Sequence, residues 1–393
     1  MKNKKLMWLY VLSASIYFVQ GIEGLPGLSI FAFMKEHLHF SPSKIMYIGS
    51  LVSLAWLVKP LFGFISDNFL SNKKWILISL LGSLGICLYL GLSPYIPLFI
   101  LIPILMLANV NAAMRDVSCD GMMCITGKKT NTCNKIQSIQ WISITVASIF
   151  VGLFGGYIAD HYSYKIGYLF LIPIYLIILI IVSKYKTIVS KNRTHVQKNE
   201  QSLLQSILSY KELFTNKQFL LGCLFLFVYK FAPGFGTPLS FIERDTFGWS
   251  YTFMSILGAV GSVVSIIGAI IYYKISHKLN VKKVLFWSIF LVGITNLAYL
   301  YFTPVTDVIY TIIFSFLGMF IFLNTMTWMA KNTLSGKEAT SFALLCSINN
   351  LSGTLSTLTG AWLFPLLGLK LIIVLASISA FASLPILKKL DIK

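Results

Sequence analysis

Six ionisable side chains, Glu23, Lys59, Arg115, Asp116, Asp120 and Lys230, fall inside stretches otherwise apolar enough to cross a lipid bilayer. A charge at the centre of a membrane helix costs roughly 2.5–3.5 kcal/mol on insertion scales, so such residues turn toward a bundle interior or a wet cavity. There they pair, bind a solute or carry protons. Asp116 and Asp120 stand four residues apart and share one helix face, which Asn109 and Ala113 roughly extend. Two carboxylates stacked in low dielectric repel each other, which suits a pair that takes up and releases a proton. Arg115 points to an adjacent face and can compensate one of them. The chain holds three arginines against 29 lysines, so an Arg here reads as a planar fork for a carboxylate. The alternative for both aspartates is a cytoplasmic helix end with snorkelling charges.

Glu23 lies in Gln20-Gly21-Ile-Glu23-Gly24-Leu-Pro26-Gly27. Glycines and a proline around a carboxylate predict a broken helix whose freed backbone lines a cavity; the alternative is a structural pair of Glu23 with another helix. Lys59 precedes Pro60 at the depth expected for Asp116, so an ion pair between them is expected. Lys230 precedes Pro233 and Gly234 near the middle of its run, where a cation can receive a substrate carboxylate or an internal partner. The aromatics Phe18, Trp56 and Trp328 lie at similar depths and can stack on a planar ring, or simply pack.

The elements that must position these groups are membrane helices. Hydrophobic residues make up 56% of the 393 and charged residues 11%, more apolar surface than a soluble chain of this length buries. Twelve apolar runs of about 20 residues, from 7–34 to 366–387, match a hydrocarbon core of about 30 Å. Alternating strands are lacking, which favours a helical bundle over a barrel. The net charge of +19 is partitioned: with the N-terminus placed in the cytoplasm, 24 of the 32 Lys and Arg lie in cytoplasmic segments. That is the positive-inside pattern, and it puts both termini inside. It leaves no basic face for nucleic acid. Lys2, Lys4 and Lys5 before an apolar core imitate a signal peptide, but the run continues well past Ser13-Ala14-Ser15, as a retained anchor does. The six cysteines read as reduced packing residues, and the five histidines fall in loops or at span edges. Neither set predicts a metal site, a cofactor or a membrane-embedded enzyme. Isolated charges interrupted by Gly and Pro also argue against a passive channel.

A basic polar segment, 184–217, divides the chain into an N-terminal six-helix bundle, 1–183, and a C-terminal one, 218–393; the segment itself reads as a cytoplasmic linker. A shift of 209 residues aligns the halves without a gap: Phe18 with Phe227, Gly27 with Gly236, Ser41 with Ser250, Gly49 with Gly258, Ser53 with Ser262, and Lys73-Lys74 with Lys282-Lys283. Parallel six-helix repeats suit the major facilitator architecture, an all-α membrane protein with substrate bound near the midplane between halves. The loop Gly63-Phe-Ile-Ser-Asp67, followed by Lys73-Lys74, resembles that superfamily's loop motif. The resemblance implies that Asp67 latches the inward gate; the alternative is a solvated loop carboxylate.

A more specific resemblance follows. Tyr17-Phe18-Val19-Gln20-Gly21, Met34-Lys35-Glu36-His37-Leu38, Trp56-Leu57-Val58-Lys59-Pro60-Leu61-Phe62-Gly63 and Ser66-Asp67 are similar, in order, to motifs of the folate–biopterin transporter family. Asp116-Val117 with Asp120 resembles its fourth-helix motif, and Gly336 through Asn350 its late Gly-x-Glu-x-Thr-x-Phe-Ala-Leu run. Glu36 departs from the usual Asp, and Arg115 stands where the family commonly has a small residue, which alters the local charge balance. The resemblance implies uptake of folates or pterins with protons; the family also includes carriers of S-adenosylmethionine.

These readings combine into a proton-coupled, alternating-access carrier rather than an enzyme. Its expected substrate-binding residues are Gln20, Glu23, Trp56, Lys59, Arg115, Asp116, Lys230 and Trp328. Asp116 and Asp120 are expected to handle protons, and Asp67, Lys73 and Lys74 the inner gate. The expected partners are the solute, protons and the bilayer, and the expected form is a monomer in a bacterial inner membrane.

Overall fold

The structure, a computed structural model, describes residues 2–130, 133–185, 215–333 and 338–391. The expected linker therefore lies mostly outside the described residues. Every described element is helical. The first half comprises α1 (Lys2–Ile22), α2 (Gly27–Ala32), α3 (Pro42–Val52), α4 (Lys59–Asn68), α5 (Asn72–Leu92), α6 (Leu98–Thr130), α7 (Cys133–His161) and α8 (Tyr164–Lys184). The second comprises α9 (Lys217–Lys230), α10 (Gly236–Asp245), α11 (Tyr251–Ile275), α12 (Val281–Ala298), α13 (Pro304–Lys331), α14 (Glu338–Phe381) and α15 (Leu384–Lys389).

Ten segments are long and apolar enough to span a membrane. The twelve expected runs are recovered by two local breaks. Leu344–Lys389 contains Gly368 at φ 70°, where two helices meet; glycine takes that left-handed backbone without a Cβ clash. The run through α9 and α10 is interrupted at 231–235, so neither piece alone is long enough to span.

Helix starts repeat with the 209-residue offset. Ser41 accepts from Lys44 N and Ser250 from Phe253 N; Ser71 accepts from Lys74 N and Asn280 from Lys283 N. These are side-chain caps on otherwise unpaired amides. The broken helices correspond too, since α2 and α10 start at Gly27 and Gly236. Buried apolar residues form two clusters, one drawn from residues 9–185 and the other from 219–390.

The halves meet most closely where α7 crosses α11. Gly156 N donates to Ser255 Oγ at 3.0 Å, and Ser255 Oγ donates to Gly152 O at 2.6 Å. A Cβ on Gly156 would lie 2.1 Å from the Tyr251 carbonyl oxygen, and one on Gly152 2.6 Å from Ala259 Cβ. This is the small-residue spacing that lets membrane helices approach backbone to backbone. It lies toward the end of the bundle away from the termini, called the distal end below.

Gly156→Ala is expected to force these helices apart at a cost of about 1–3 kcal/mol, read as a lowered melting temperature in detergent. Gly85→Ala, where an added Cβ meets nothing within 4 Å, should leave the melting temperature unchanged. Equal behaviour of the two variants would contradict the close-approach account.

Candidate functional site

The break between α1 and α2 is a run of tight turns rather than open chain. Gly24 N bonds Gly21 O, Leu25 N bonds Ile22 O and Gly27 N bonds Gly24 O. The backbone is thus satisfied locally, contrary to the expectation that freed peptide groups line a cavity. The Glu23 side chain is what the break presents. A Cβ on Gly21 would sit 2.6 Å from Ala147 Cβ on α7, so glycine there permits close packing of α1.

Glu23 is held by two helices. Arg115 Nη2, on α6, donates to both Glu23 oxygens at 2.6 Å, and Arg115 Nη1 reaches Ser83 Oγ at 3.4 Å. The Tyr175 hydroxyl on α8 donates to Glu23 Oε1. Arg115 is 1% exposed. A guanidinium so placed is tolerable only with a carboxylate and further polar partners around it.

At the next residue of α6, Lys59 Nζ meets Asp116 Oδ2 at 2.6 Å and stands 4.6 Å from the Trp56 ring centroid. Trp56 Nε1 donates to Asn109 Oδ1 at 2.7 Å, while Asn109 Nδ2 donates to Leu105 O. The Lys59–Asp116 pair expected from matching depths is formed. Asp120 differs from Asp116: its Oδ1 accepts from the Tyr17 hydroxyl at 2.8 Å and Gln140 Nε2 at 3.3 Å, both neutral donors. The two aspartates therefore share a face, and Lys59 touches Asp116 while its charge also reaches Asp120.

A cavity of about 420 Å³ opens beside these groups, lined by Gln20, Glu23, Trp56, Asn109 and Tyr175 among others. Its volume lies within the range of small-molecule sites. Gln20 lines this cavity, and its Oε1 is buried without a hydrogen-bond partner. The whole lining comes from residues 20–175. This cavity consequently sits on the first half's side, whereas the midplane seam between halves was the expected place.

Several expected residues lie elsewhere. Lys230 ends α9 with its Nζ 5.3 Å from the Tyr229 ring centroid, and among the described residues it has no ion pair. The chain beyond it is tied to α14: Ala232 N donates to Ser356 Oγ at 3.1 Å and Gly234 N to Ser356 O at 2.8 Å. Trp328 is 1% exposed and packs edge-on against Phe225, 5.3 Å between centroids. The Asp67 side chain lies outside the described residues. Lys73 Nζ donates to the carbonyls of Ser183 and Tyr185 at the end of α8, and Lys74 is exposed. Among the described residues no three His, Cys, Asp or Glu side chains gather as a metal would require.

Tyr17, Tyr175, Gln140 and Asn350 were not singled out as site residues by sequence. Tyr17 opens the Tyr-Phe-x-Gln-Gly motif, and a polar residue there invited attention. Asn350 closes the late motif and donates to the Trp56 carbonyl at 3.3 Å, joining the halves near this site. Tyr175 and Gln140 had only the weaker signal of a lone hydroxyl or amide in an apolar run.

Removing one partner of a buried pair costs about 3–5 kcal/mol, while removing both can be near neutral. Arg115→Leu is therefore expected to lower the melting temperature strongly and Glu23→Gln with Arg115→Leu to restore most of it. An additive double variant would contradict the pairing.

Comparison with known proteins follows the same lines. The model of the BT1 family matches residues 20–390. The folate-biopterin transporter of Synechocystis sp. is 25% identical over 97% of this chain and 81% of that one. Folate transporter 1 of Plasmodium falciparum is 24% identical over 91% and 72%. Among solved structures, a D-xylose-proton symporter superposes with a TM-score of 0.76 at 10% identity, covering 98% of both chains. The nucleoside transporter NupG gives 0.71 at 16%, covering 98% and 99%. These two likenesses carry the major facilitator fold and nothing finer. With a family model spanning nearly all of its length, the chain belongs to the BT1 family, the folate–biopterin transporters, and is a multi-pass membrane transporter.

Proposed function

We propose that this transporter takes up folate or a pterin-type solute together with protons, by rocking two six-helix bundles, 1–183 and 218–393, joined by the basic linker 184–217. The observation that carries the reading is a largely apolar cavity with Gln20, Glu23 and Asn109 in its wall, beside the Lys59–Asp116 pair, in a chain whose near full-length relatives are named for folate and biopterin. A pterin ring stacks against Trp56, and its amino-pyrimidine edge donates to Gln20 Oε1 and the outer lone pairs of Glu23. Arg115 stays with Glu23 and holds that carboxylate in place. Lys230, without an ionic partner among the described residues, receives a glutamyl carboxylate when the halves close around folate. Trp328 supports the α9 wall from behind.

Asp120 is the group we assign to the proton. Among the described residues it accepts hydrogen bonds from neutral donors only, so taking a proton from outside breaks no ion pair there. Asp116 stays paired with Lys59; loss of the neighbouring Asp120 charge, which also acts on Lys59, loosens the hold on Lys59 and lets it turn to the solute. The inner gate involves Asp67, with Lys73 and Lys74 at the cytoplasmic surface. Both termini are cytoplasmic and the distal end faces outside, following the distribution of Lys and Arg. The protein works as a monomer in a bacterial inner membrane.

Reconstituted vesicles test this. Labelled folate or biopterin should accumulate when an inward proton gradient is imposed, and labelled S-adenosylmethionine should not. Asp120→Asn should keep counterflow of labelled against unlabelled solute yet lose accumulation, so that uptake stops at equilibration. Gradient-driven accumulation that survives in this variant refutes the proton assignment, and accumulation of S-adenosylmethionine alone refutes the solute.

A further inference from the structure

The distal end of α10 carries three consecutive ionisable residues that face three ways. Asp245 Oδ1 accepts from Lys35 Nζ at 2.5 Å, and Arg244 Nε donates to Glu36 Oε1 at 3.3 Å. Lys35 and Glu36 lie in the π-helical turn Phe33–His37 that continues α2, so both contacts join the halves. Tyr251 on α11 donates its hydroxyl to Glu36 Oε1 at 2.8 Å. Asp160 at the end of α7 accepts from Tyr251 N at 2.9 Å and from Thr252 N and Oγ1 at 2.6 Å. Together these contacts close the distal end.

Glu243 points the other way, back into its own half, and its carboxyl meets that of Asp307 in the first turn of α13. Asp307 is 5% exposed, and its Oδ2 has no hydrogen-bond partner. Among the described residues neither carboxylate has an ion pair. The neighbouring ionisable groups are committed or neutral. Arg244 also donates to Trp249 O, Lys44 on α3 stands 3.6 Å over the Phe40 ring, and the Tyr310 hydroxyl donates to Ala298 O. His37 packs on Phe33, Tyr47 on α3 is exposed, and Tyr299 is held among Phe235, Phe302 and Tyr310. Two carboxyl groups in contact with no cation cannot both ionise and stay together.

We infer that Glu243 and Asp307 share one proton and that this proton keeps the distal latch shut. With the proton in place, the carboxyl pair anchors the end of α10 to α13, and Arg244 and Asp245 are presented to Glu36 and Lys35. Release of that proton to the distal solution leaves two carboxylates. They repel, the end of α10 turns, and the freed Glu243 competes with Glu36 for Arg244. The latch between halves then loosens. The site is separate from the aspartates on α6 and rests on no solute assignment.

Distances between spin labels at Tyr95→Cys and Val305→Cys, both at exposed distal positions of opposite halves, test this in the full chain without native cysteines, reconstituted in nanodiscs without solute. Short distances should dominate in acidic buffer, and the long-distance fraction should rise several-fold in alkaline buffer. Glu243→Gln keeps a neutral donor against Asp307, so its distances should stay short in both. Asp307→Asn should do the same from the other side. A pH-insensitive wild-type distribution overturns the proposal without any variant. So does a wild-type response retained in Glu243→Gln or Asp307→Asn, which would move the switch to another group such as His37.

Discussion

An ionised side chain in hydrocarbon must find a counter-charge or a set of donors, and the architecture of the first half is arranged around that requirement. Three helices that are distant in sequence, α1, α6 and α8, converge because Glu23, Arg115 and Tyr175 satisfy one another. The same constraint brings Lys59 at the start of α4 to Asp116 on α6. Each pairing fixes a helix rotation, and the rotations leave a cavity walled by groups that are already partly satisfied. A solute entering there competes for existing contacts rather than meeting bare charge. That permits binding and release across a membrane without a deep electrostatic trap.

The two halves treat this constraint differently. The first half concentrates acids and bases near the cavity, whereas Lys230, near the break in the second, has no ion pair among the described residues. The distal end supplies a second polar layer, where Lys35, Glu36, Arg244 and Asp245 bridge the halves. Between these layers, Gly152 and Gly156 bring α7 against α11 at backbone contact. Small residues and charge pairs thus divide the work: glycines set how near the halves come, and ion pairs join them at the distal end.

Much of this was legible in the sequence because the signals were local. Apolar run lengths gave the helices, the 209-residue offset gave the repeated caps at Ser41 and Ser250, and depth matching gave Lys59 with Asp116. The merged helices at Gly368 and the interruption at 231–235 were harder, since a hydropathy pattern records apolar length and not backbone direction. The partner of Arg115 was open because an arginine beside Asp116 and Asp120 has nearer acids in sequence than Glu23; only helix rotation shows that it turns away from them. The carboxyl contact of Glu243 with Asp307 left no signal at all, because both residues lie at helix ends where charges are ordinary. The side on which the cavity lies was missed for a similar reason. Repeats suggest a seam, but the lining depends on which half supplies the polar side chains.

The central claim is that Glu23, held by Arg115 from behind, stands in the wall against which the solute is proposed to bind. A structure determined by electron cryo-microscopy with a bound pterin tests it most directly. The account expects ring density beside Trp56, within hydrogen-bond distance of Gln20 and Glu23, with Arg115 still on Glu23. Density confined to the α9 and α14 side, with the Glu23 cavity unfilled, would contradict it.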